Sequence, residues 1–137
     1  MRAVSVPRPF LLYTAAFFAA RLPFLFAGYG ADTDAYRVAL SARYFWREGE
    51  YLPSRLPGYP LHEAATALVI WGGPLLTNLT TAIVAFVGVL VFDRIVVALG
   101  VPGRGWLLVA MGFTPWLLVN STTTIDYHWA LTAMLGA

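Results

Sequence analysis

Cysteine is absent from this sequence, and so is lysine. Without cysteine no disulfide framework and no thiolate metal site can form, and the redox compartment leaves no trace. Without lysine every cationic side chain is an arginine. Arginine suits bidentate recognition of phosphate and carboxylate, although a GC-rich genome has the same effect. Charge is scarce altogether. Charged residues make up 12% of the 137, about half the share found in ordinary soluble domains. A net charge of +2 is too small to point to a nucleic-acid partner.

What the chain has in excess is apolar surface. Hydrophobic residues are 59% of the total and the mean hydropathy is +0.68. A soluble domain of this length keeps too much of its surface in water to hide so much apolar material. A bilayer removes the conflict, because lipid accepts apolar faces all round. The expected class is therefore all-α: a polytopic transmembrane helix bundle, integral to the cell membrane and in contact with membrane lipids.

The pattern reads as alternating spans and loops. Arg2 and Arg8 precede an apolar stretch from Phe10 to about Gly28, roughly 28 Å as a helix and long enough to cross a bilayer core. Arg21 and Pro23 interrupt it. The charged start resembles a signal peptide, but the apolar stretch runs on past Arg21, longer than a usual signal h-region. Residues 29–73 carry most of the charge and read as one long loop outside the membrane. Within it, Val38, Ala42 and Phe45 recur at helical spacing between Ala35 and Glu48, with Arg37, Ser41, Tyr44 and Glu48 on another face. Tyr44, Phe45 and Trp46 suit a position at the bilayer surface. A second amphipathic helix is expected from Leu61 to Trp71, after Pro60. Between them the proline-rich segment 53–60 is stiff, with Pro57-Gly58 expected at the centre of a type II turn. Further spans are expected at about 75–99 and 106–119, with a partial one at 129–137. The chain stops in mid-pattern at Ala137, so it is expected to be the N-terminal part of a longer protein. Arg2, Arg8, Arg94 and Arg104 balance Arg37, Arg43, Arg47 and Arg55 across the spans, so the positive-inside rule does not decide orientation.

The residues richest in chemistry follow the first span. Asp32 and Asp34 are separated by Thr33. In an extended segment, alternate side chains point the same way, so both carboxylates can face one cation or substrate. Their oxygens suit Mg²⁺ or Mn²⁺, and a single carboxylate can instead act as general base on a hydroxyl. Asp34 also stands where a helix N-cap is expected, before Ala35, which favours Asp32 as the base. Asp126 and His128 lie in a later polar loop on the same side and are of metal-ligand type, although Asp126 can equally cap the following helix. Arg55, on the stiff segment, can contact phosphate. Arg37, Arg43 and Arg47 read as solvated or at lipid headgroups, and Glu63 as a first-turn helix acid. Arg21, inside a span, is a functional candidate unless it snorkels to the interface. The sequons at Asn78 and Asn120 fall beside apolar spans and read as chance.

Arg21-Leu22-Pro23, then Asp32-Thr33-Asp34-Ala35-Tyr36, then Ser54-Arg55-Leu56-Pro57-Gly58-Tyr59-Pro60 together resemble the N-terminal region of the GT-C superfamily of membrane glycosyltransferases. Relatives there include protein O-mannosyltransferases and lipid A aminoarabinose transferases. The resemblance implies a first loop on the extracytoplasmic side carrying a functional acid and two juxtamembrane helices. It also implies a second acid in the loop before the fourth span, which corresponds to Asp126. Many members have adjacent acids after the first helix, whereas Thr33 intervenes here, so which Asp corresponds to the catalytic one stays open. The implied reaction is an inverting transfer from a polyprenyl-phosphate or similar lipid-linked sugar donor to an acceptor hydroxyl. Asp32 or Asp34 would be the base, Arg55 would face the donor phosphate, and a metal would engage Asp126. The 137-residue chain alone is expected to be inactive. The competing class is a non-enzymatic multispan membrane protein, a transporter fragment or a subunit of a complex. Arg21 within a span suits that class, but no inverted repeat is visible and the polar residues gather in a loop.

Overall fold

The computed structural model describes residues 8–137. Arg2, counted above with the charge flanking the first span, lies outside the described residues. Among the described residues every regular element is helical. The order is α1 (Arg8–Arg21), α2 (Thr33–Glu48), α3 (Pro60–Val69), α4 (Gly73–Ala98), α5 (Arg104–Phe113), α6 (Pro115–Asn120) and α7 (Tyr127–Gly136), with 3₁₀ turns at Leu22–Phe24 and Ile70–Gly72.

In the first and third apolar stretches the helices are shorter than the stretch that contains them, and the breaks have local causes. α1 tightens into the 3₁₀ turn at Leu22–Phe24, where Pro23 has no N–H to continue an α-helical ladder. The expected span at 106–119 is two helices. Thr114 sits between them in extended backbone (ψ 129°), because a residue preceding proline is pushed out of the α region. Pro115 then starts α6 at a position where its missing N–H costs nothing. α3 and α4 form a nearly continuous helical run, Pro60–Ala98, the one stretch among the described residues long and apolar enough to cross a membrane. Its 39 residues would reach roughly 58 Å, twice a hydrocarbon core of about 30 Å. The 26 residues of α4 suffice by themselves. Gly73, at φ 62° and ψ −155°, breaks the run and sets α3 apart from the apolar segment.

Two small cores organise the packing. In one, α1 lays Phe17 against Ala85 and Val89 of α4, with Tyr13, Phe86 and Leu108 around them. In the other, Ala39 and Ala42 of α2 meet Ala67 of α3 and Ile70 of the turn that follows it. The periodicity of α2 therefore faces as expected, with Val38 and Ala42 buried and Arg43 and Arg47 exposed. Ser41, assigned to the polar face, is buried as well, because its hydroxyl donates to the Leu52 carbonyl and pins the following loop to the helix. α7 lies along α4 at close range. A Cβ on Gly88 would come within 2.6 Å of Thr132 Oγ1, and that hydroxyl donates to the Val84 carbonyl at 3.1 Å.

Polar contacts inside these apolar surroundings tie distant segments together. Arg21 is only 1% exposed. It does not snorkel. Its Nε donates to Ser121 Oγ at 2.7 Å, Nη1 to the Phe17 carbonyl at 2.9 Å and Nη2 to the Gly112 carbonyl at 2.7 Å. One guanidinium thus joins the end of α1 to α5 and to the loop after α6. Nearby, the amide of Asn78 donates to the carbonyls of Leu25 and Gly28 and accepts from Thr124, whose hydroxyl also pairs with Thr77. The Thr124 N–H donates to the Tyr29 carbonyl at 2.7 Å. The sequon at Asn78 is consequently a buried structural hub. These bonds carry the loop 121–126 across to the segment that follows α1.

Candidate functional site

Asp32 precedes α2 in extended backbone, and its Oδ1 accepts from the Asp34 N–H at 2.9 Å. It is the helix cap. The capping role expected of Asp34 falls two residues earlier, which leaves the Asp34 side chain, inside the first turn of α2, free for other partners. Asp34 Oδ2 meets Arg55 Nη1, and its Oδ1 meets Arg37 Nη1 at 3.3 Å. Arg55 Nη2 reaches Asp126 Oδ1 at 2.5 Å. One arginine thus joins carboxylates from two loops far apart in sequence. Asp32 contributes to this cluster through its bond to the Asp34 backbone.

The segment carrying Arg55 is held in place by Glu63. Although α3 opens with it as a first-turn acid, this carboxylate is 1% exposed and turned back toward the preceding loop. It accepts from the hydroxyls of Tyr51 and Ser54, from the Ser54 N–H at 2.9 Å and from the Tyr59 N–H at 3.4 Å. Both ends of the proline-rich segment are therefore folded onto one anion. The turn inside it centres on Leu56-Pro57, joined by a cis peptide, one residue before the expected Pro57-Gly58. Tyr59 then presents its ring to the Arg55 guanidinium, 4.5 Å from Cζ to the ring centre.

The electrostatics follow from these contacts. Burial alone would push the Arg55 guanidinium down, but the hydrogen bond to Asp34 and the charge of Asp126 outweigh it and hold Arg55 charged. Burial likewise pushes the Glu63 carboxyl up, and the bonds from Ser54, Tyr51 and Tyr59 reverse this, keeping it below its ordinary range. The Tyr51 hydroxyl, bonded to Glu63, is pushed up to about 12. His62, 3% exposed, is pushed down to about 4 by burial, against the pull of Asp126 and Glu63 and with Arg55 adding to the depression. Neither of its ring nitrogens has a partner, and the same holds for Arg55 Nε and Trp129 Nε1. The His62 and Trp129 rings lie 5.3 Å apart.

Of the residues singled out from sequence, Asp34, Arg55 and Asp126 meet. His128 does not join them, because its Nε2 pairs with the Leu117 carbonyl at 2.8 Å. Among the described residues no group of three or more His, Asp or Glu side chains is arranged around a common metal position. Arg55 takes the place between Asp34 and Asp126 that a divalent cation bridging them would need. From sequence Glu63 is expected only as a first-turn helix acid, and no chemistry is expected of His62 or Trp129. A signal for Glu63 exists in the sequence: Glu63, Thr66, Ala67 and Ile70 share one helical face, which puts a carboxylate on the side that packs. Compared with known protein families, curated proteins and solved structures, the chain matches none.

The buried imidazole makes stability depend on pH. A histidine held near 4 in the fold and near 6.5 when unfolded binds its proton more readily in the unfolded chain. Its contribution is complete above pH 6.5 and is lost as the pH falls toward 4. We expect the melting temperature to decline across that window, and His62→Gln to remove this component. The fall due to Glu63 lies lower, because its carboxyl sits below 4.5. Superimposable pH profiles for the wild type and the variant between pH 6.5 and 4 would show that His62 is not buried in neutral form.

Proposed function

We propose that this chain belongs to a multi-pass membrane glycosyltransferase of the GT-C type, which moves a sugar from a polyprenyl-phosphate donor to an acceptor hydroxyl with inversion. The observation that carries the reading is the meeting of Asp34, Arg55 and Asp126. These are the acid of the first loop, the arginine of the Arg-Leu-Pro-Gly-Tyr-Pro segment and the acid of the later loop, the elements on which the family resemblance rests. The outer surface supports a membrane setting. Leu12, Phe26, Leu61, Trp71, Trp106 and Met134 are all well exposed, and a bilayer covers such side chains without requiring a complementary partner. In this reading α1, α4, the α5–α6 pair and α7 cross or enter the membrane. The α2–α3 pair lies along its outer face, with Arg43 and Arg47 at headgroup level.

The chemistry requires a base, a fixed geometry and a path for the leaving group. The acceptor oxygen attacks the anomeric carbon and forms the new C–O bond. The bond from that carbon to the lipid-phosphate oxygen breaks, and the phosphate departs with the electron pair. The hydroxyl proton passes to Asp34, the carboxylate that is not spent on a helix cap. Arg55 keeps Asp34 and Asp126 together and provides positive charge beside the reacting groups, where a preorganised cation is worth most. With Arg55 seated between the carboxylates, no step here runs through a metal ion. A lipid donor also accounts for the layout, since its phosphate stays at headgroup depth, where the amphipathic pair lies.

In the membrane-embedded full-length protein, Asp34→Asn should lower kcat/KM for transfer from the lipid-linked donor by about 10²–10⁴-fold, because an amide cannot take the proton. Asp32→Asn should leave activity close to wild type, since Asn caps a helix nearly as well as Asp. Loss of transfer in Asp32→Asn with retention in Asp34→Asn would reverse the assignment. Wild-type rates in both would remove the loop from the chemistry.

Topology is tested separately. Single cysteines at Tyr29, Glu50 and Asn120 should react with a membrane-impermeant reagent from the outer face, and one at Gly103 from the inner face. Labelling of positions 50 and 103 from the same face would contradict the multi-pass arrangement.

A further inference from the structure

Next to the carboxylate–arginine cluster is a cavity of about 270 Å³ between the start of α3 and α7, lined by His62, Asp126 and Trp129 with Tyr59, Ala130 and Ala133 among its walls. Its polar inventory is unusual. His62 is almost wholly buried, yet both ring nitrogens are unpartnered, and the indole N–H of Trp129 is buried and unpartnered as well. Buried polar groups are ordinarily hydrogen-bonded, because leaving one unpaired forfeits its hydration with nothing in return. Three such atoms on two adjacent rings at one cavity point to a ligand that supplies the missing bonds.

The ligand's character follows from what these atoms need. A neutral imidazole offers one donor and one acceptor, and the indole offers a donor. A matching ligand must therefore both accept and donate, as hydroxyl groups do. A phosphodiester, the linkage of a sugar-phosphate-lipid donor, only accepts and would leave the imidazole acceptor unpaired. Charge gives the same answer. Asp126 is the charged residue in the cavity wall, so an anion entering it meets a like charge. The remaining walls are flat and apolar, as required by the C–H faces of a ring.

We propose that the His62–Trp129 cavity binds a neutral, hydroxyl-bearing ring, the pyranose or furanose of the transferred sugar, and leaves the donor's phosphate outside it. Trp129 and His62 hydrogen-bond the ring hydroxyls, and Asp126 lies at the mouth, next to the carboxylate that takes the proton. The identification of the ring as the transferred sugar rests on the glycosyltransferase reading. The existence of a neutral polyol site does not.

The test is equilibrium binding to the full-length protein in nanodiscs, followed by tryptophan fluorescence. The probes are D-glucose, D-mannose, D-galactose and L-arabinose, each alone, with dimethyl phosphate as the anionic, acceptor-only comparison. A saturable change is expected with at least one sugar and none with dimethyl phosphate. Trp129→Phe keeps the ring and removes the N–H. It should weaken sugar binding by about three- to tenfold, the worth of one hydrogen bond. His62→Phe should weaken it by at least as much, and His62→Gln, which retains a donor and an acceptor, by less. Binding of dimethyl phosphate but of no sugar would overturn the proposal, as would sugar affinity unchanged in both Trp129→Phe and His62→Phe. The two readings fail separately. Sugar binding at these residues in a protein without transfer activity would keep the cavity assignment and remove the enzyme. Wild-type transfer in Trp129→Phe and His62→Phe would keep the enzyme and remove the cavity assignment.

Discussion

A guanidinium shared between two carboxylates is the contact on which the rest of the arrangement depends. Asp34 and Asp126 come from segments far apart in sequence, and as neighbouring anions they would repel. Arg55 converts the repulsion into a bridge. Breaking a partly buried pair of this sort leaves an uncompensated charge, which is the costly outcome, whereas the intact pair by itself adds little to stability. The bridge is therefore better understood as fixing geometry than as holding the fold together. Its own position depends on Glu63, which gathers Tyr51, Ser54 and Tyr59 and so closes the proline-rich segment into a loop with Arg55 on its outer side.

Two further polar clusters bring the loops within reach of each other. Arg21 satisfies its charge with neutral oxygens from α1, α5 and the loop after α6. Asn78 and Thr124 link the segment after α1 to α4 and to the loop 121–126. In apolar surroundings such groups have no water to fall back on, so each fixes a single register between the elements it joins. Asp126 follows Thr124 by two residues and reaches Arg55 because that register is fixed. The polar residues that seemed out of place in apolar stretches are the ones that align the loops.

The helical spacing of Val38 and Ala42 and the apolar run expected at about 75–99 were legible in the sequence, and each corresponds to an element in the fold. The site was legible in part. Asp34, Arg55 and Asp126 could be named as candidates, but which aspartate caps α2 depends on where the first helical turn begins, and a start two residues earlier than expected passes the cap from Asp34 to Asp32. Arg55 read as a phosphate contact because its carboxylate partners lie in other segments. Glu63 read as a helix-dipole acid because its partners belong to a loop whose path no local pattern dictates. His62 and Trp129 become noticeable only when packing removes their partners. The split of the third apolar stretch into α5 and α6 was not anticipated, although Pro115 carries the signal, since a residue before proline is pushed out of the helical region.

The central claim, that Arg55 couples Asp34 to Asp126, is tested most directly by a double-mutant cycle on unfolding free energy, using Arg55→Met, Asp126→Asn and the double variant in the same detergent. Direct contact predicts that the two changes are non-additive, with an interaction energy above about 1 kcal/mol and the same result for the Arg55–Asp34 cycle. Additivity within about 0.5 kcal/mol in both cycles would mean that the three side chains do not share a site.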